Sequence, residues 1–197
     1  CILNINITRG TVKKRGYNIN IENISPNIIL TTSKMAKIPK PYNDNGIKTK
    51  FSKTRLFKTI EPLESIKHMN RLTQVLATSE LSKNYPELIM CDEDNNIIEG
   101  TSSNIFFVKG MNFYTPKIHG NSVEGVMRSV IINILKKNKY KIKIKKINMK
   151  DIKNYDGAFF CNSIRLIWNI KDLSGYKYKN NNNIQSLIKL VDNEIYK

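Results

Sequence analysis

Glu99 stands in the stretch IIEGTSSNIFFV, residues 97–108, where strand-like hydrophobic sequence runs in from both sides. Strand interiors normally exclude glutamate, and Gly100 beside it weakens a strand further. An exposed hairpin turn would explain this carboxylate without any function. Alternatively, the carboxylate faces a buried positive partner, and the small residues after it let a flat molecule approach the backbone. The stretch alone leaves both interpretations open.

Lys67, in ESIKHMNRL, is a second residue that could do chemistry. One lysine among 27 is by default a solvated side chain. Its neighbours Ile66, Met69 and Leu72 nevertheless make a partly apolar setting. Burial there would favour the neutral amine, which can attack a carbonyl carbon and form a Schiff base.

Two further stretches could supply neutral hydrogen-bond donors. In HGNSVEGVMR, Gly125 precedes a helical pattern, so the N–H groups of Val126 and Met127 would point outwards and could bind a phosphate. In FFCNSIRL, a buried strand pattern ends in Asn162 and Ser163, which either cap the next element or bind a ligand. Both features are common. Together with an amine and a carboxylate, they match a Schiff-base cofactor that carries a ring nitrogen and a phosphate.

The composition does not by itself indicate an anionic partner. The net charge of +17 would usually suggest nucleic acid. However, lysines outnumber arginines 27 to 6, whereas base and phosphate recognition favours arginine. Lys, Asn and Ile are abundant together, as an AT-rich genome produces. The alternating stretch KYKIKIKKI, residues 139–147, predicts a strand with one face in the core and one in solvent.

Three cysteines, Cys1, Cys91 and Cys161, lack metal-type spacing, so we expect reduced thiols in a cytosol. No apolar run is as long as a membrane span, and the N-terminus has no signal-peptide pattern. At 197 residues, 40% of them hydrophobic, the chain can form a substantial core.

The elements that would position the candidate residues form an irregular series in which strands dominate, so the predicted fold class is α+β. Hydrophobic alternation predicts a strand in CILNINITRG, and ELIMC and IIEG read as the two strands of a hairpin. Further strands are predicted in NIILTTSK, IKTKFSKTRL, SNIFFV and NFYTP, and a buried one in GAFFCNS. Helical periodicity predicts helices over residues 70–83, 125–138 and 184–196. The first helix would carry Leu72, Val75, Leu76 and Ser79 on one face. The Pro- and Asn-containing stretch 35–46 has the composition of a linker.

In their order and spacing, IKHMNRLTQVLA, IIEGTSSNIFFV and YTP…GVMR resemble the fold-type IV pyridoxal-phosphate (PLP) enzymes. That family holds branched-chain aminotransferases, D-amino-acid aminotransferases and aminodeoxychorismate lyase. The resemblance covers about residue 1 to about residue 170, and IKHMNR is most similar to the lyase. It implies a two-domain α+β fold with the N-terminal part of the small domain absent. Residues 1–34 would be the remnant of that domain, 35–46 the interdomain linker and 47–197 the large PLP-binding domain.

The resemblance also implies a role for each candidate residue. Glu99 would meet the pyridine nitrogen of the cofactor and keep it protonated, so that the ring acts as an electron sink. Lys67 would form the internal aldimine and afterwards shuttle a proton. The amides of Val126 and Met127 and the hydroxyl of Ser163 would hold the phosphate.

Five residues are implied as substrate-binding. Arg15 and Tyr17 fall where D-amino-acid aminotransferases place a pair that recognises the substrate carboxylate. His68 and Arg71 would put bulk and polarity beside the lysine, where the transaminases have small or apolar residues. Asn162 would complete the pocket. No metal is implied.

The resemblance implies the reaction of aminodeoxychorismate lyase, which converts 4-amino-4-deoxychorismate to p-aminobenzoate and pyruvate in folate biosynthesis. We expect a cytoplasmic homodimer that binds this small molecule and neither nucleic acid nor membrane. Transamination of a branched-chain or D-amino acid is the alternative within the fold. A non-catalytic, basic binding protein with a degraded version of the fold is the alternative outside it. Because the family's small domain begins before CILNINITRG, we also expect a preceding segment in the natural protein.

Overall fold

The computed structural model describes residues 1–11, 25–35, 46–58, 63–120 and 122–196. These residues form eleven strands and three α-helices, and the predicted α+β class is confirmed. The chain divides into two compact units, Cys1–Lys37 and Ile38–Lys197. The predicted linker lies almost entirely outside the described residues, and the predicted domain boundaries stay predictions.

The first unit contains an antiparallel ribbon of strands β1 (Ile2–Thr8) and β2 (Asn27–Ser33). Both strands were predicted from their alternating sequence. Six of their large apolar side chains are between 49% and 63% exposed: Leu3, Ile5, Ile7, Ile28, Ile29 and Leu30. Because two strands cannot enclose a core, the ribbon buries little apolar surface within its own unit.

The second unit is built on a seven-stranded mixed sheet, in which β11, β10, β9, β6, β7 and β8 are adjacent in that order and β3 pairs with β10. Its strands are β3 (Ile47–Thr49), β6 (Asn104–Lys109), β7 (Asn112–Pro116), β8 (Lys141–Lys145), β9 (Gly157–Asn162), β10 (Leu166–Leu173) and β11 (Tyr176–Lys177). A separate antiparallel hairpin consists of β4 (Ile89–Cys91) and β5 (Ile97–Gly100). The helices are α1 (Leu72–Thr78), α2 (Val126–Lys137) and α3 (Asn182–Ile195).

The central strands of the sheet are buried on both faces. In β6, Phe106 and Val108 belong to the core that α2 and α3 complete, whereas Ile105 and Phe107 belong to the core on the opposite face. Phe106 stacks on Phe159 of the neighbouring strand, with ring centroids 5.0 Å apart. Each such side chain contributes about 1.5–3 kcal/mol when fully buried, so β6 and β9 form a rigid base for the loops at their ends.

Helix α1 is shorter than the predicted 70–83. The Thr78 and Ser79 hydroxyls donate to the carbonyls of Val75 and Leu76, and such side-chain bonds compete with continuation of a helix. The predicted face of α1, which includes Leu72, is exposed along its length. The helix instead buries Gln74 and Ala77.

Strand β8 confirms the predicted strand in KYKIKIKKI, but not its buried face. It is the edge strand of the sheet, and Ile144 is 53% exposed while Ile142 packs partly against the core. Its exposed lysines discourage pairing with other strands. The predicted helices 125–138 and 184–196 correspond to α2 and α3.

None of the helices within the described ranges is both long and apolar enough to span a membrane. Cys91 and Cys161 are buried free thiols, and Cys1 is exposed. Burial raises the pKa of the Cys91 and Cys161 thiols to about 12, so neither forms a reactive thiolate near neutral pH.

Candidate active site

Glu99 is buried in β5, with only 4% of its surface exposed, so the interpretation of an exposed hairpin turn is wrong. Strand β5 pairs with β4 in a register that puts Glu99 opposite Met90. The carboxylate Oε2 accepts a hydrogen bond from the Val123 N–H at 2.9 Å. Its Oε1 lies 3.5 Å from the Gln74 side-chain amide, a long contact. Glu99 is therefore a buried carboxylate held firmly by one oxygen and weakly by the other.

The environment of Glu99 favours its protonated form. Burial raises its pKa to about 7, and the nearby Glu87 carboxylate adds to this. The Val123 N–H, the Gln74 amide and the Arg71 guanidinium act in the opposite direction. Because the effect of burial outweighs these opposing contacts, a ligand that carries positive charge beside the carboxylate would stabilise its ionised form.

A short segment, residues 122–125, connects Glu99 to the start of α2. Val123 donates to Glu99, and its carbonyl accepts a hydrogen bond from the Asn104 side-chain amide at 2.9 Å. The Asn104 Oδ1 accepts from the Gly125 N–H at 3.1 Å. Glu99 and Asn104 therefore both hydrogen-bond to the 122–125 segment.

The N-terminus of α2 provides the predicted backbone donors. Gly125 precedes the helix in an extended conformation, and a Cβ atom there would lie 2.2 Å from the Asn104 Oδ1. Among the hydrogen bonds of the described residues, none uses the N–H of Val126 or Met127. The Val126 side chain is exposed and that of Met127 is buried. The helix therefore begins with N–H groups that can donate hydrogen bonds to an anionic ligand.

Lys67 is exposed, in an irregular segment before α1. The Arg71 guanidinium binds the segment on both sides of the lysine, since Nε donates to the His68 carbonyl at 3.3 Å and Nη2 to the Ile66 carbonyl. The Ser65 carbonyl accepts from the Glu124 N–H at 3.2 Å. The segment that carries Lys67 is thus tied to residues 122–125, as Glu99 is.

Arg71 thus hydrogen-bonds to backbone carbonyls on both sides of Lys67. Its predicted substrate-binding role did not anticipate this contact. Burial lowers the pKa of Arg71, and the Glu99 carboxylate opposes this effect. The guanidinium is therefore close enough to Glu99 for the two charges to interact. His68 lies beside it, half-buried. The substrate-binding roles of Arg71 and His68 stay predictions.

Asn162 is the last residue of β9, and Ser163 lies in the turn between β9 and β10. The Asn162 Oδ1 accepts from the backbone N–H groups of Ile164 at 3.0 Å and Arg165 at 2.8 Å, and its amide donates to the Ser102 carbonyl at 3.2 Å. The Asn162 side chain therefore shapes the turn, as the capping interpretation expected. Ser163 is exposed, with its hydroxyl available to a ligand. The ligand-binding roles of both residues stay predictions.

The small residues after Glu99 do not all leave open space. A Cβ atom at Gly100 would lie 2.3 Å from the Ser103 Oγ and 2.6 Å from the Glu87 Oε1. Gly100 is therefore required because the chain folds back on it, and room for a flat ligand is not the reason. The predicted pair Arg15 and Tyr17 lies outside the described residues.

Three buried polar residues near the site were missed in the sequence: Gln74, Glu87 and Asn104. Asn104 stands at the polar start of the apolar run NIFFV, a position where a side chain often caps another segment. Gln74 is the polar member of the run LTQVLA. No local pattern distinguishes Glu87 from a surface glutamate, because its partners lie 14 and 15 residues further along the chain.

Comparison with known proteins gives consistent matches. Residues 1–173 match the family model described as amino-transferase class IV. The chain is 30% identical over 125 residues to aminodeoxychorismate lyase of Vibrio harveyi, covering 62% of this chain and 45% of the relative. It is 32% identical over 89 residues to a probable branched-chain-amino-acid aminotransferase of Rickettsia felis, covering 45% of this chain and 30% of the relative. The chain thus spans less than half the length of these relatives.

Among solved structures, the chain is similar to the 4-amino-4-deoxychorismate lyase of Pseudomonas aeruginosa, with a TM-score of 0.90 and 27% identity. The superposition covers 98% of this chain and 71% of the lyase chain. The prediction that this chain is part of a two-domain fold-type IV PLP enzyme fold is therefore confirmed.

Enzymes of this family use PLP, and solved structures of the same fold contain it. The residues of this chain fit that cofactor. An exposed amine at Lys67 suits its aldehyde, the under-bonded Glu99 carboxylate suits its ring nitrogen, and the free N–H groups at the start of α2 suit its phosphate. Three requirements are met by one connected set of residues, and the family match covers most of the sequence. The chain belongs to the amino-transferase class IV family.

Proposed function

We propose that the protein is an aminodeoxychorismate lyase, which releases p-aminobenzoate and pyruvate from 4-amino-4-deoxychorismate in folate biosynthesis. The observation that supports a PLP site most strongly is the 122–125 segment. It is hydrogen-bonded to Glu99 and to the segment that carries Lys67, and it leads directly into the N-terminus of α2. One hydrogen-bonded segment thus links the backbone near Lys67, the Glu99 carboxylate and the proposed phosphate-binding amides.

Lys67 would hold the cofactor through Nζ and, when the substrate amine replaces it, would take the proton from the adjacent substrate ring carbon. Glu99 would hold a proton on the ring nitrogen. The N–H groups of Val126 and Met127, with the Ser163 hydroxyl, would bind the phosphate. PLP, when bound, supplies the sink for the electrons that this proton leaves behind. Because the product ring becomes aromatic, the protein has mainly to orient the substrate and position the base.

Lyase chemistry is favoured over transamination by IKHMNR, in which His68 and Arg71 stand beside the lysine. A lyase does not have to return a proton to the cofactor carbon or bind a second, amino-accepting substrate. Transamination of a branched-chain or D-amino acid is the second candidate. The similarity to the Rickettsia felis aminotransferase supports it, because the identity there is as high as to the lyase.

The experiment that separates the two uses the complete open reading frame that contains this chain, purified with PLP. One vessel receives 4-amino-4-deoxychorismate without a 2-oxo acid, and others receive leucine or D-alanine with 2-oxoglutarate. We expect p-aminobenzoate and pyruvate in the first vessel at a rate well above amino-group transfer in the others. Fast transfer without p-aminobenzoate would refute the lyase and leave the PLP site in place.

We further propose that the protein is a cytoplasmic homodimer. A set of large apolar residues on α1 and the segment before it is exposed by 50% to 71%: Ile66, Met69, Leu72, Val75 and Leu76. Exposed apolar side chains that succeed one another along a helix and the segment before it often mark a protein–protein contact surface. A second copy of the chain is the occupant we propose. The Leu72→Glu/Leu76→Glu double variant should then sediment as a monomer at concentrations at which the unmutated protein is a dimer.

A further inference from the structure

Glu87 lies just before β4 and is almost fully buried, with 2% of its surface exposed. Its Oε1 accepts from the Thr101 hydroxyl at 2.7 Å and from the Ser102 backbone N–H at 2.9 Å. Its Oε2 accepts from the Ser102 hydroxyl at 2.8 Å. All three donors belong to one turn, residues 101–102, which directly follows Glu99 and Gly100 in the chain. A buried carboxylate that accepts three such bonds holds its turn firmly.

The 101–102 turn borders both halves of the proposed cofactor site. On one side it continues from Glu99, the carboxylate proposed for the ring nitrogen. On the other side the Ser102 carbonyl accepts from the Asn162 amide at 3.2 Å. The Asn162 Oδ1 in turn holds the Ile164 and Arg165 N–H groups, and so shapes the turn that carries Ser163.

Glu87 also acts directly on the strand that carries Glu99. A Cβ atom at Gly100 would lie 2.6 Å from the Glu87 Oε1, so the carboxylate packs against the backbone beside Glu99. Two charged groups influence Glu99 among the described residues: Arg71, which lowers its pKa, and Glu87, which raises it. Removing the Glu87 charge should therefore move the titration of Glu99 to lower pH.

We infer that Glu87 is a positioning residue, which holds Glu99 and the turn that carries Ser163 in one arrangement through Thr101 and Ser102. The inference rests on the proposed function for the meaning of those two ends, but its hydrogen bonds join residues of this chain alone. Glu87 does not itself contact the reacting atoms. Its effect on catalysis comes from the fixed spacing between the ring-nitrogen carboxylate and the phosphate-side turn.

The test compares Glu87→Ala and Glu87→Gln with a matched control, Glu80→Ala. Glu80 also holds a turn, since it accepts from the Ser52 hydroxyl, the Lys53 N–H, and both the N–H and the hydroxyl of Thr54. None of these partners belongs to the proposed site. The control therefore removes a carboxylate of similar structural importance from another place.

Two measurements are made on the cofactor-free protein. The first is amide hydrogen exchange at Ile164 and Arg165. The second is the carboxyl carbon titration of Glu99, assigned with Glu99→Gln. Glu87→Ala should accelerate the exchange at least ~10-fold, beyond any change in global stability. Glu87→Gln should keep the exchange slow, because its amide oxygen still accepts from the turn, and should move the Glu99 titration to lower pH.

The control should leave both measurements as in the unmutated protein. If Glu87→Ala changes neither one more than Glu80→Ala does, the inference is wrong. Should Glu87→Ala fail to fold, Thr101→Val removes one of the three donors with little change of shape and should accelerate exchange by about threefold. An unchanged Thr101→Val exchange and an unchanged Glu87→Gln titration together would also refute the inference.

PLP binding then separates this inference from the proposed function. Glu87→Ala should weaken PLP affinity at least ~10-fold, and Glu80→Ala should leave it unchanged. If the unmutated protein binds no PLP while the two cofactor-free measurements behave as expected, the proposed function fails and the positioning role of Glu87 stands. If PLP binds equally well to both alanine variants, the positioning role fails and the proposed function stands.

Discussion

The two ends of the candidate site differ in how the chain builds them. Glu99 lies in a buried strand, and Glu99 and the nearby Asn104 both hydrogen-bond to the 122–125 segment. Lys67 lies in an exposed irregular segment, and the side chain that binds that segment on both sides is Arg71. The carboxylate end is thus embedded in the core of its unit, and the lysine end is attached to its surface.

The difference agrees with the role that we propose for each residue. A carboxylate that only has to hold a proton on a ring nitrogen gains from burial, because its interaction with a cation strengthens as water is excluded. A lysine that binds an aldehyde and then moves a proton must change partners during the reaction, so a mobile, accessible side chain suits it. The apolar residues around Lys67 are exposed. We propose that a second subunit covers them together with α1 and so completes the surroundings of the lysine. The predictions below test this contrast.

The largest effect is expected at the exposed end. Lys67→Ala should lower turnover by ~10⁴-fold or more, since it removes both the covalent attachment and the base. The free energy of unfolding should change by less than about 0.5 kcal/mol, because the side chain is exposed. Kinetics and urea unfolding measure the two quantities. Borohydride reduction and peptide mapping should place the pyridoxyl group on Lys67, and labelling of another lysine would contradict the assignment.

Glu99→Gln should lower turnover by ~10²–10³-fold, which corresponds to about 3–4 kcal/mol of transition-state stabilisation from a buried charge partner. PLP affinity should fall by less than ~10-fold, because the amine and the phosphate-binding amides remain. Glu93→Gln, an exposed change in the turn of the same hairpin, is the control and should leave both unchanged. Near-normal turnover of Glu99→Gln would show that this carboxylate does not support the chemistry.

The cofactor-free protein should lose stability with rising pH because of Glu99. Its pKa is raised from an ordinary 4.5 to about 7, so the fold favours the neutral form. The resulting stabilisation is complete below pH 4.5 and is lost as pH rises through 7, a total of ~3 kcal/mol. Urea unfolding of the unmutated protein and of Glu99→Gln from pH 4 to pH 8 should give curves that diverge by this amount. Parallel curves would mean that Glu99 is not buried as described.

The smallest effect is expected from Arg71→Lys, which keeps the charge but removes the planar group that binds two carbonyls at once. If Arg71 mainly holds the Lys67 segment, turnover should fall by about tenfold, or about 1.4 kcal/mol, with little change in KM. If Arg71 mainly binds the substrate, KM should rise instead. Steady-state kinetics distinguishes the two, and a variant with unchanged turnover and KM would exclude both roles.

Much of the fold could be predicted from local pattern. Strand-like apolar sequence located β1, β2, β6, β7 and β9, and helical periodicity located α2 and α3. The strand β10 was missed, although Trp168 and Ile170 alternate with polar residues as in a half-buried strand. The length of α1 was overestimated, since Thr78 and Ser79 act through hydroxyl bonds that hydrophobic periodicity does not include.

By itself, the sequence determined which residue types are available: a lysine before a helix, a glutamate inside strand-like sequence, and a glycine at a helix start. Their order also carried the family resemblance. Only the tertiary structure decided that Glu99 is buried, that its partner is the Val123 N–H, and that Glu87 holds the turn after it. These contacts join residues 14 to 24 positions apart. Such distances are set by strand register and by the path of loops, because burial is a property of the packed chain and not of its local pattern.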